Sequence, residues 1–160
     1  SQEEREDIAM KVAIAAIKFA DLQNNRIADY VFDLDRMTSF EGKTGPYLLY
    51  QAVRIKSLLD KAGYKTGGDI IISDLDRPLY LMLSELSEVI ENAARNYTPH
   101  VICDHVYKLA QAFSSFYGNT HILSEENAAQ KQSWLTLSAM VLAQLELSLD
   151  LVGIEIPARM

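Results

Sequence analysis

One cysteine, one tryptophan, three histidines, four prolines and seven glycines are all that 160 residues hold of these types. The lone Cys103 excludes an internal disulfide framework and any multi-cysteine zinc site, and makes a reducing, cytoplasmic setting the expectation. Scarce Pro and Gly exclude collagen-like and Pro-rich readings. Positive charge is also short: 15 Lys and Arg face 22 Asp and Glu, a net charge of -7. Such a molecule as a whole repels nucleic acid and anionic membrane, so contact with either must come from a local patch. No run approaches the ~20 apolar residues that span a bilayer. The opening Ser1-Gln2-Glu3-Glu4 lacks the charged-then-apolar order of a secretory signal, and no membrane partner is expected. What is present is 49% apolar and 23% charged, enough for one ordinary domain with its own core.

Apolar residues recur at helical spacing nearly everywhere and alternate nowhere for long, which predicts an all-α fold. A first helix is expected from about Glu3 to Leu22, with Glu3, Glu4, Glu6 and Asp7 at its dipole-favoured start and Ile8, Val12, Ala15, Phe19 and Leu22 on its core face. The segment from Asp29 to Gly42 is too polar and aperiodic for a core helix yet carries three aromatics, and reads as an ordered, non-helical strap. Gly45-Pro46 marks the start of a second helix, Tyr47 to Ala62, with Leu48, Ala52, Ile55 and Leu59 inward and Gly63 as its stop. A third region, Ser73 to Asn96, splits at Pro78 or Ser84. Thr98 caps a helix from Pro99 to Tyr117, and Ser124 caps a last one reaching Val152. That last helix is apolar on most sides around Trp134, Leu137, Met140, Val141, Leu145 and Leu149, so it is expected at the centre. Gly153 ends it, and a short tail runs to Met160.

Most constellations that could carry catalysis have ordinary explanations. His100, Cys103 and His105 share one helix without a clear fourth ligand, so a packed cysteine with surface histidines is expected and no metal site. Asp33/Asp35 and Glu125/Glu126 have no cleft to separate their pKa values, as an acid–base dyad requires. Gly67-Gly68 lacks the Gly-Lys-Ser/Thr ending and the preceding strand of a phosphate loop. No catalytic residue is expected. The second helix is more informative, because Tyr47, Tyr50, Arg54 and Lys61 share a face beside its core stripe, with Arg36 and Lys43 just upstream. Rings flanked by cations suit unstacked nucleotides, the rings taking base faces and the cations phosphates. The same spacing equally describes half-buried tyrosines under the strap with snorkelling cations.

The run Asp29-Tyr-Val-Phe-Asp-Leu-Asp-Arg-Met-Thr-Ser-Phe-Glu-Gly-Lys-Thr-Gly-Pro-Tyr-Leu-Leu-Tyr-Gln-Ala-Val-Arg54 closely resembles the stretch of arginyl-tRNA synthetases that leads from the catalytic domain into the anticodon-binding domain. Ala16 to Leu22, His100 to Tyr117 and Leu151 to Met160 resemble the same family in the same order. The resemblance implies a helical bundle of the class I synthetase anticodon-binding type. Residues 1–42 would be the helix and strap leading from the catalytic domain, and residues 43–160 the bundle. It also implies that the chain is the C-terminal part of a longer enzyme. The His-Ile-Gly-His-like and Lys-Met-Ser-Lys-Ser-like signatures of the family's catalytic domain do not occur here. ATP and Mg²⁺ would therefore act elsewhere in the enzyme, and these residues alone would be inactive.

Carried over by position, the family's anticodon contacts fall on Tyr47, on Gln51 where many relatives have alanine, on Tyr117 and on Met160. Tyr50 joins them by its place beside Tyr47, and Arg36, Lys43, Arg54 and Arg159 would neutralise phosphates. Leu34 where tryptophan is usual, Leu49 where glutamine is usual, and Ala158 where glutamate is common also depart from the family. The implied partners are the anticodon loop of arginine tRNA, read at its central cytosine, and the catalytic domain of the same chain. A helical protein-interaction module descended from that domain without RNA binding is the alternative, favoured by the negative charge, Leu49 and Gln51. An anticodon domain of a related class I synthetase fits the Phe40-Glu41-Gly42 and Pro46-Tyr47 run less well.

Overall fold

The computed structural model describes residues 1–160, which form seven α-helices and one short 3₁₀ turn with no strand. Helix α1 spans Gln2–Leu22, α2 Leu34–Thr38, α3 Gly45–Ala62, α4 Arg77–Ser84, α5 Leu86–Asn96, α6 His100–Asn119 and α7 Ala128–Leu151, with the 3₁₀ turn at Ile122–Ser124. Helix α1 opens with a capping box in which Ser1 accepts from the Glu4 amide and Glu4 reaches back to the first residue. Helix α3 opens on Thr44, whose hydroxyl accepts from the Tyr47 amide, with Pro46 in its first turn and left-handed Gly63 closing it. The third region does divide after Ser84, and Pro78 opens α4 rather than breaking it.

Three local expectations are corrected. The strap is not wholly non-helical: Asp33 accepts from the Arg36 amide and starts the one-turn α2, which drops Met37 into the core. Thr98 does not cap α6: its hydroxyl has no partner, and its amide closes α5 by donating to the Ala93 carbonyl. Asn127, not Ser124, caps α7 by accepting from the Ala129 and Gln130 amides. Ser124 is already used in the 3₁₀ turn, which buries Ile122.

One apolar cluster runs through α1, α3, α4, α5, α6 and α7, with Phe19, Leu48, Ile55, Leu109, Phe113, Val141 and Leu145 fully enclosed. Helices α3 and α6 lie parallel: Tyr47 meets Tyr107 and, further along both, Arg54 meets Tyr117. Helix α7 runs against both, pairing Lys56 with Glu146 at 3.0 Å and Phe116 with Trp134 at 6.0 Å. It has the length and apolarity of a membrane span, yet it packs on α3, α4 and α6 through buried Leu135, Leu137, Val141, Leu145 and Leu149, leaving Leu147 and Leu151 exposed. Met140 is the exception to its expected burial, facing outward. Helices α1 and α3 approach so closely at Gly45 that a Cβ there would stand 2.1 Å from the Ala15 carbonyl oxygen. Small Ala15 and Ala16 permit that approach, which is why burial on α1 is complete there and partial at Ile8, Val12 and Leu22.

Candidate nucleic-acid interface

The parallel pair α3 and α6 builds a seam of side chains. At its start the Lys43 ammonium pairs with the Asp104 carboxylate. One turn on, the half-buried Tyr47 ring meets Tyr107 edge-on, centroids 5.8 Å apart at 64°. Burial pushes the Tyr47 hydroxyl above its ordinary pKa, while Arg54 and polar contacts from Gln51 and Ser114 act against that shift. Gln51 is 3% exposed and its amide oxygen has no partner. Further along, the Arg54 guanidinium carbon lies 4.2 Å from the Tyr117 ring centroid, and Tyr117 in turn leans on Phe113 at 6.0 Å. A cation over a ring face is worth ~0.5–1 kcal/mol at an exposed site, weak enough for a base to displace it.

Beyond Arg54 the surface opens into a hollow of about 200 Å³ walled by Tyr50, Arg54, Lys61, Tyr117, Leu123 and Met160. Tyr50 is 46% exposed and Met160 43%, so both present apolar surface to solvent. A shallower hollow of about 270 Å³ shares Arg54 and Tyr117 and continues over His121 and Ser124. Open hollows lined by ring faces, a thioether and cations fit flat, unstacked bases better than an enclosed small molecule.

The structure therefore gathers Tyr50, Arg54, Tyr117 and Met160 around one hollow and sets Tyr47 and Gln51 next to it along the seam. Lys43 stands at the far end of the seam with its charge already paired. Arg36 lies apart, exposed, lining a cavity of about 380 Å³ beneath the strap with Tyr30, Asn24 and Lys43. Arg159 turns away from the seam: its guanidinium meets both Glu4 carboxylate oxygens, at 2.6 and 2.5 Å. Sequence reasoning missed Asp104, Tyr107 and Ser114 as partners of the seam, although all three lie on the same motif-bearing segment of α6.

No three His, Cys, Asp or Glu side chains gather around one point. Burial pushes the Cys103 thiol up to about 12, far from a ligating thiolate. Gly68 packs against Gln132 and Thr136 and follows no strand, so the Gly67-Gly68 loop cradles no phosphate.

By its family match and its superposition on a solved synthetase, this strand-free bundle with an open seam of rings and cations is a helical anticodon-binding domain of the class I synthetase type. The chain belongs to the DALR anticodon binding domain family, whose model matches residues 48–160. A second family, class I (R) tRNA synthetase catalytic domain, matches residues 1–34. An arginine–tRNA ligase of Maricaulis maris (strain MCS10) is 52% identical over 100% of this chain, and one of Hyphomonas neptunium (strain ATCC 15444) is 49% identical over 98%. The chain spans only 28% and 27% of those two proteins. Among solved structures, the Thermus thermophilus arginyl-tRNA synthetase superposes with a TM-score of 0.91 at 31% identity, over 97% of this chain and 28% of that one. The Plasmodium falciparum arginyl-tRNA synthetase gives 0.83 at 26% identity, over 96% of this chain and 28% of that one.

Proposed function

We propose that this chain is the anticodon-binding part of an arginine–tRNA ligase and that the seam between α3 and α6 takes the anticodon loop of arginine tRNA. The observation that carries the reading is the grouping of Tyr50, Arg54, Tyr117 and Met160 around one open hollow, continuous with Tyr47. Splayed bases stack on Tyr47, Tyr50 and Tyr117, each stack worth ~1–3 kcal/mol. Arg54 slides from the Tyr117 face to a phosphate as the base arrives, and Lys43 and Arg36 meet the backbone further along the strap side. Gln51, with its unpaired amide oxygen, accepts from a base amine such as that of cytosine. Beyond the net negative charge, Leu49 and Gln51, nothing observed favours a protein-interaction module that has lost RNA binding.

In the whole enzyme, arginine would be joined to its tRNA with ATP and Mg²⁺ in the cytoplasm, by a catalytic domain of which residues 1–34 are the last part. Supporting this, α1 exposes Met10, Ile14 and Ile17 on one face, and the chain between α1 and α2 exposes Ile27, Val31 and Phe32. So much apolar surface on a segment that matches a catalytic-domain family suits burial against the remainder of that domain. The test is filter binding of this 160-residue chain to arginine tRNA and to the same tRNA with its central anticodon base changed. Tight binding only to the first is expected, and equal binding to both would overturn the proposal.

A further inference from the structure

The tail that delivers Met160 to the hollow is held by side chains of α1. At its root, left-handed Gly153 (φ +70°) turns the chain, and the Lys18 ammonium donates to its carbonyl oxygen at 2.7 Å. A Cβ at Gly153 would stand 2.4 Å from that ammonium, so the contact at this place needs a glycine, which the left-handed backbone favours in any case. In the middle, the Lys11 ammonium bridges Glu155 at 2.7 Å and Asp7 at 3.0 Å. At the end, Arg159 meets Glu4 through two hydrogen bonds. Between these contacts Ile154 and Pro157 are buried and Ile156 half-buried, so the tail is seated as well as tied.

Glu4, Lys11 and Lys18 recur every seven residues, which keeps them on one stripe of a helix. From Lys18 to Glu4 the helix rises ~21 Å at 1.5 Å per residue. From Gly153 to Arg159 an extended chain covers ~20 Å at 3.3 Å per residue. The two lengths agree, so the tail lies extended and antiparallel along the stripe, and its reach ends at the hollow.

We propose that Glu4, Lys11 and Lys18 are positioning residues of the RNA site: α1 clasps the tail so that Met160 stands beside Tyr50 and Tyr117, and Arg159 anchors to Glu4 rather than meeting a phosphate. This rests on the anticodon-binding reading for its consequence, though not for its geometry. It makes part of the catalytic-side helix, outside the matched anticodon-binding family region, a component of the anticodon surface.

The sign of one substitution separates the two roles for Arg159. Glu4→Gln keeps a capping-box residue at its position but removes the charge that holds Arg159. If Arg159 served a phosphate, freeing it and deleting a nearby negative charge would tighten tRNA binding. If it anchors the tail, binding weakens, by about three-fold for an exposed pair. Unchanged or tighter binding overturns the proposal. A second readout needs no RNA: the Met160 ε-methyl, labelled with carbon-13, lines the same hollow as Tyr50 and Tyr117 and is expected to feel their ring currents in the parent chain. In Glu4→Gln, and separately in Lys11→Gln, its resonance is expected to move toward that of free methionine with the melting temperature nearly constant. A methyl resonance unmoved in both variants would refute the clasp even if arginine tRNA binds. A parent that binds no tRNA but shows the methyl shift would refute the RNA reading and leave the clasp intact.

Discussion

Along the seam, Leu48, Ala52 and Ile55 of α3 and Val106, Leu109 and Phe113 of α6 are fully buried beneath the rings they support. The tail from Gly153 to Met160, by contrast, meets α1 through ammonium, guanidinium and carboxylate groups in contact with water. Both regions shape the same hollow. The first cannot be loosened without loosening the fold, because its rings stand on the core. The charged ties of the second can be cut at little cost to stability, because exposed ion pairs each contribute ~0–1 kcal/mol, while Ile154 and Pro157 stay buried beneath them. One surface thus has a rigid wall and a movable one, and mutations at the two should separate stability from binding.

The largest expected effect breaks the rigid wall. Phe113→Ala removes a fully enclosed ring under Tyr117 and should lower unfolding free energy by ~3–5 kcal/mol, measured by urea denaturation. RNA binding should fall with it, in proportion to the unfolded fraction. Next, Tyr50→Ala at the open rim should weaken arginine tRNA binding by ~1–3 kcal/mol in filter assays. Its stability should stay within ~0.5 kcal/mol of the parent, since the side chain is largely exposed. Tyr80→Ala, a tyrosine packed on the core away from the seam, should do the reverse; equal binding losses at the two sites would erase the contrast.

A smaller effect probes the core by pH. Burial holds His105 below the ordinary histidine value of 6.5, with contacts from Gln144 and Glu85 opposing and Lys108 reinforcing the shift. The unfolded chain therefore takes up a proton at higher pH than the folded one. The stability contributed by neutral His105 is complete above about pH 6.5 and is lost as pH falls through the lower folded value. Urea midpoints should drop between about pH 7.5 and about pH 5.5, and His105→Gln should flatten that drop. Smallest of all, Lys43→Met removes one partly exposed pair with Asp104 and should change stability by ~0–1 kcal/mol, less at high salt. A larger loss would mean that the start of the seam belongs to the rigid wall after all.

Much of this was legible in sequence. Pro46 and Gly63 bracketed α3 because each forces or forbids a local backbone conformation, and such preferences act within one turn. The stripe of Leu48, Ala52 and Ile55 was legible for the same reason, and with it the outward set of Tyr47, Tyr50 and Arg54. Caps were less so: Thr98, Ser124 and Asn127 all have capping side chains, and only Asn127 caps a helix, Ser124 being used in the 3₁₀ turn and the Thr98 hydroxyl having no partner. The one-turn α2 escaped because five residues are too few to show a period.

The sequence by itself determined that the chain is helical, where its long helices run, and which faces carry rings and cations. These follow from periodicity, a property of residues three and four apart. Only the tertiary structure decided which of those cations are free. Lys43 is matched to Asp104, 61 residues away, and Arg159 to Glu4, 155 residues away, while Arg54 lies on Tyr117 and Arg36 pairs with no acid. An apolar face is satisfied by any apolar neighbour, so its burial can be read locally. A charge is satisfied by one particular partner at one distance, and that distance exists only once the helices have packed.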